Sequence, residues 1–99
     1  MKYGWEKSSI VKIIDDGWLY TTYHEMAESM NLENWAYKEY PDKSDLYQVV
    51  GIRRHFDDPE LLLGIKNINT GKTYIIGEEG VEEVGVIEEN FISKEDFEL

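Results

Sequence analysis

The chain has no cysteine among its 99 residues. That removes a disulfide framework, thiolate metal sites and a cysteine nucleophile from consideration. It fits a reducing compartment. Proline is scarce, at two residues, and no linker or internal repeat is visible. Long apolar runs are also missing. None approaches the roughly 20 residues of a membrane span, and MKYGWEKSSIVKII lacks the apolar core of a signal peptide. The expectation is a cytoplasmic protein that makes no membrane contact. Catalytic signatures are absent as well: there is no G-x-S-x-G, P-loop or G-x-G-x-x-G. The reading is therefore no enzyme and no cofactor.

Basic residues are few. Ten Lys and Arg stand against 21 Asp and Glu, for a net charge of −11 and a pI near 4.5. The imbalance is concentrated at the end of the chain. Residues 78–99 hold nine acids and one lysine, while residues 1–77 hold twelve acids and nine bases. Such a field repels phosphate backbones, so direct nucleic-acid binding and binding to anionic membranes are disfavoured. A basic protein partner, or imitation of nucleic acid, is compatible with it.

Aromatic residues are plentiful, at 13% of a chain that is 41% apolar. Large rings bury much area per residue, which suits a domain small enough to hide only about 60–65% of its unfolded surface. Six of the 13 rings fall in GWLYTTYHEMAESMNLENWAYKEY, residues 17–40: Trp18, Tyr20, Tyr23, Trp35, Tyr37 and Tyr40.

SSIVKII at residues 8–14 is rich in β-branched residues and reads as a first strand, ended by Asp15-Asp16-Gly17. Thr22 and Glu25 have capping-box spacing. Behind them Tyr23, Met26, Ala27 and Met30 share one helical face, which predicts a short helix over residues 23–30 with Asn31 as its C-terminal cap. WAYKEYPDKSD (residues 35–45) reads as a polar loop with aromatic anchors. LYQVVGIRR (residues 46–54) reads as a long strand, with Tyr47, Val49 and Gly51 on one face and Leu46, Gln48, Val50 and Ile52 on the other. Gly51 signals a bulge or sharp bend. LLLGIK and KTYII flank Asn69-Thr70-Gly71 as a hairpin. Gly77-Glu78-Glu79-Gly80 is a tight turn before a short closing segment.

The stretches VKIIDDGWLYTTY, LYQVVGIRRH, LLLGIKNINTGKTYIIGEEG and GVEEV resemble small SH3-like barrels, including the KOW type, and short proteins encoded by bacteriophages and prophages. The resemblance covers about two-thirds of the chain. It implies an α+β, mainly β fold: a small SH3-like barrel of about five short antiparallel strands, with one short helix inserted after the first strand. Residues 1–92 would form the single domain and residues 93–99 an acidic C-terminal tail. A phage source would place the protein in the host cytoplasm. The RNA-binding members of that group are basic and this chain is acidic, so RNA binding does not carry over.

Several constellations are candidates for function. His24 and Glu28 lie at i, i+4 in HEMAE and could share a metal on a helix, but an H-E-x-x-H site needs a second histidine there. An exposed polar face is the better reading, and no metal is expected. Arg53-Arg54-His55 is the main basic spot, better read as a soluble strand end than as an anion site. The carboxylate doublets are not facing pairs, because adjacent strand residues point to opposite sides. Glu78, Glu79, Glu82, Glu83, Glu88 and Glu89 form an acidic row that could imitate phosphates and inhibit a host defence or replication protein. Trp18, Tyr20, Tyr37 and Tyr40 occupy loops where no periodicity demands them. They are the preferred partner-binding residues, because Trp and Tyr dominate binding hot spots. The favoured function is a non-enzymatic module, monomeric or homodimeric, that binds a host or phage protein.

Overall fold

The computed structural model describes residues 9–54 and 60–86. Five strands follow one another: β1 (Ser9–Ile13), β2 (Leu46–Arg54), β3 (Leu61–Asn67), β4 (Thr73–Gly77) and β5 (Val81–Val86). One helix, α1 (His24–Ser29), lies in the long connection after β1. Short 3-10 turns occupy Asp16–Trp18 and Glu78–Gly80. All pairings are antiparallel, in the order β4-β3-β2-β1-β5. The mainly-β reading with a helix after the first strand therefore holds.

Closure into a barrel does not occur. β4 and β5 are the two ends of the sheet, and no ladder joins them among the described residues. The backbone groups on the outer side of β4 are engaged elsewhere. Tyr20 N–H donates to the Ile75 carbonyl at 2.8 Å, Ala36 N–H to the Thr73 carbonyl at 2.9 Å, and Thr73 N–H to the Asn34 carbonyl at 3.1 Å. The β1–β2 connection thus covers the edge that closure would need.

The sheet is packed on both faces. One face buries Val11, Ile13, Tyr47, Val49, Leu63, Ile65, Tyr74, Ile76 and Val81. On the other, Leu62 of β3 and Ile75 of β4 pack against Met26, Ala27 and Met30, with Tyr20, Tyr23, Leu32 and Trp35 half-buried around them. This is why LLLGIK reads as a continuous apolar run: strands covered on both faces lose the polar alternation. Side chains between Tyr20 and Trp35 form a second layer over β3 and β4, while Leu19 and Ala36 at its margins pack into the first core.

A bulge in β2 decides which side chains reach each face. Val49 pairs with Ile65 and Gly51 with Gly64, so Val50 is the extra residue. The bulge expected at Gly51 is present, and it moves Gly51 off the face of Tyr47 and Val49. Gly51 abuts Met30 in the second layer, whereas Ile52 packs against the first core. The strict alternation through Ile52 is thereby corrected: one inserted residue exchanges the faces of everything beyond it.

The helix begins and ends differently from a polar-capped one. Its N-cap is Tyr23, which makes no side-chain cap bond. The Thr22–Glu25 capping box does not form, because the helix starts one residue later and the half-buried Tyr23 ring anchors its start in the second core. The helix stops where Asn31 marks it, although Met30 is the C-cap and Asn31 the left-handed residue that follows it. Asn31 takes φ 56°, its N–H donates to Glu28 O at 3.0 Å, and Leu32 N–H donates to Ala27 O at 3.1 Å. These bonds form a Schellman motif, with Leu32 packing back into the apolar cluster.

The β3–β4 hairpin is held by Asn67, whose Oδ1 accepts from Asn69 N–H at 2.7 Å and Thr70 N–H at 3.0 Å. Gly71 supplies the left-handed position at φ +82°. Asn67 Nδ2 also donates to Asp45 at 2.9 Å, tying the hairpin to the loop before β2. The Tyr47 hydroxyl donates to the Asp42 carbonyl at 2.6 Å in the same corner.

Candidate functional site

Residues 30–40 turn three times through left-handed conformations, at Asn31, Asn34 and Lys38. These turns fold the segment back along α1. Tyr37 then stacks on His24, with ring centroids 4.7 Å apart and planes at 29°. Trp35 meets His24 edge-on at 5.2 Å and Tyr37 at 5.9 Å. The Lys38 ammonium lies 5.3 Å from the Tyr37 centroid. The sequence offers His24 as a metal candidate; the structure joins it to Trp35 and Tyr37 in one wedge.

A groove of about 670 Å³ runs beside this wedge, between α1 and residues 31–35. Ala27, Leu32 and Trp35 supply its apolar lining, and His24, Glu28, Asn31 and Glu33 its polar lining. A smaller depression of about 260 Å³ adjoins it, sharing Asn31, Leu32 and Glu33 and adding Val50, Lys66 and Thr73. The Trp35 indole Nε1–H is buried without an acceptor. Glu33 was not singled out from sequence. Its position depends on the left-handed turns on either side of it, and only the asparagines at 31 and 34 signal these.

The four predicted partner-binding rings are distributed unevenly. Tyr40 is 69% exposed, Tyr37 43% and Trp18 38%. Tyr37 belongs to the His24 wedge. Tyr20 is half-buried, lies 6.1 Å from the Tyr23 ring, and its hydroxyl donates to Glu60 at 3.1 Å. Tyr20 is therefore a packing residue of the second layer. Trp18 lies in the Asp16–Trp18 turn, close to Gly77 of β4.

The acidic row divides. Glu78 is buried, 5% exposed, in the turn between β4 and β5, so it is not part of a carboxylate surface. Glu79 and Glu82 are exposed, and Glu82 lies 3.7 Å from Lys12 across the β1–β5 pair. Glu83 is half-buried, and Glu88 and Glu89 lie outside the described residues.

His24 and Glu28 both line the groove, yet no group of three metal-ligating side chains occurs among the described residues. Arg53 is a structural tie: its guanidinium donates to the Ser29 carbonyl at 2.6 Å and to its neighbour Ile52 at 2.8 Å. Arg54 is exposed, and His55 lies outside the described residues. No helix among the described residues is long and apolar enough to cross a membrane.

No protein-family model matches the chain, and neither the curated proteins nor the solved structures contain a significant match.

Proposed function

We propose that this chain is a non-enzymatic protein-interaction module that engages its partner with the layer formed by α1 and residues 30–40. The observation that carries the reading is the His24–Trp35–Tyr37 wedge standing beside a groove, outside the inner core of the sheet. Aromatic side chains offer large contact area at low conformational cost, and a groove beside them gives a partner side chain a place to be desolvated. Tyr40, three residues after Tyr37, is the most exposed ring of the segment. The meander β1 to β4, with β5 returning to the free side of β1, supports an SH3-like reading of the sheet in an open form. On the resemblance seen in the sequence, the partner is a host or phage protein of the cytoplasm.

The test is a pair of proteins, wild type and Tyr37→Ala/Tyr40→Ala. A partner captured by wild type is purified and its affinity for both is measured. The double variant is expected to bind at least about tenfold more weakly, a loss of about 1.4 kcal/mol, with an unchanged circular-dichroism spectrum. Equal affinity for the two proteins refutes the proposal.

A further inference from the structure

We infer that the groove between α1 and residues 31–35 receives an arginine- or lysine-bearing segment of a protein partner. The inference rests on the reading that this layer is the protein-binding face, and it specifies the chemistry of the partner.

The lining sets out the requirements. Ala27 is buried at the base of the groove, and half-buried Leu32 and Trp35 continue its apolar surface. Glu28 and Glu33 are both exposed and flank that surface. Neither forms an ion pair among the described residues, and no lysine or arginine lines the groove. Lys66 enters only in the adjoining depression, beside Val50 and Thr73. A side chain that complements such a site has a long apolar stem and a cationic head. Its stem covers Leu32 and the Trp35 ring while its head reaches the two carboxylates. Charge disfavours the other occupants. A second copy of the chain brings another −11, and nucleic acid or an acidic peptide brings more of the same sign. The net charge also draws a basic segment in from a distance, while the groove determines where it stops.

The experiment titrates the isotope-labelled protein with a short peptide, acetyl-Gly-Leu-Arg-Leu-Arg-Gly-amide, and with its citrulline counterpart, which has nearly the same shape and no charge. The arginine peptide is expected to shift the amide signals of Glu28, Leu32 and Glu33 and the Trp35 indole signal; the citrulline peptide is expected to leave them in place. Two variants of equal charge change separate groove from field. Glu28→Gln/Glu33→Gln is expected to weaken binding by about tenfold or more. Glu79→Gln/Glu82→Gln, at the β5 end of the sheet, is expected to change it by no more than about twofold, because distant exposed charges are screened. Equal weakening by both pairs, or shifts confined to residues outside the groove, overturns the inference. So does a purified partner that binds wild type and Glu28→Gln/Glu33→Gln equally and loses Tyr37→Ala/Tyr40→Ala. That last result leaves the interaction reading in place.

Discussion

Gly51 and Gly64 face each other across β2 and β3, and Met30 rests over both. A Cβ at Gly51 would stand 2.9 Å from the Met30 sulfur, and one at Gly64 would stand 2.8 Å from both that sulfur and Leu32 Cδ2. The paired glycines form the flat seat on which the end of α1 is set. Alanine in a strand normally gains about 0.5–1 kcal/mol over glycine. Here overpacking prevails, and Gly64→Ala is expected to destabilise by about 1–3 kcal/mol. Urea denaturation measures the loss. Combination with Met30→Ala should cost less than the sum of the two single changes, since removing the sulfur empties the space the methyl needs.

Asn31 occupies the left-handed position that ends α1. Glycine reaches that conformation without a Cβ clash, and asparagine tolerates it better than most residues. Asn31→Ala is expected to lower stability by about 1 kcal/mol, while Asn31→Gly should be close to neutral. The comparison of thermal midpoints tests the Schellman geometry, because an ordinary helix end would rank alanine above glycine.

Tyr47 lies at 0% exposure, and burial pushes its pKa up from 10.0 to about 12. The folded state therefore keeps its proton where the unfolded chain has released it. Its contribution to stability is complete below pH 10 and is lost as pH rises toward about 12. Wild type should lose stability through that window more steeply than Tyr47→Phe. The variant is expected to start about 1 kcal/mol lower at neutral pH, for want of the bond to the Asp42 carbonyl. Parallel curves for the two proteins would contradict the assignment.

Arg53 joins the last turn of α1 to β2 with one guanidinium nitrogen on Ser29 O and another on Ile52 O. Arg53→Ala is expected to cost about 0.5–1.5 kcal/mol and to speed amide exchange in the helix selectively. Arg53→Lys should restore little, since a single ammonium does not reproduce the two-nitrogen fork.

Much of the sheet was legible because its signals are local. The apolar run LYQVVGIRR marks β2 with its observed ends, and Asn69-Thr70-Gly71 marks the hairpin through the backbone geometry that glycine permits. The helix was legible for the same reason, since Met26, Ala27 and Met30 do share a buried face. The misreadings arise where position depends on distant contacts. Thr22 and Glu25 have the right spacing for a cap, but the docking of Tyr23 sets the helix start. Gly51 indicated a bulge, but only the pairing of Val49 with Ile65 shows which residue is inserted and hence where Ile52 turns. Within the aromatic stretch, Trp18, Tyr37 and Tyr40 are exposed, whereas Tyr20, Tyr23 and Trp35 are half-buried, a split that depends on which rings the second layer covers. The groove was not visible, because Glu28 and Glu33 come to line one depression only through the left-handed reversal at Asn31 between them.

The layer that carries the wedge and the groove rests on β3 and β4, whose strand residues are nearly all buried. Elements enclosed on both sides open least often, because exposing them requires disruption of two cores at once. On the proposed function, a partner would meet a surface whose backbone is already fixed by the Schellman turn, the Tyr20 and Ala36 bonds to β4 and the Met30 seat. Little ordering is left to accompany association, so recognition should follow the docking of a rigid template, with tightness governed by how slowly the occupant leaves.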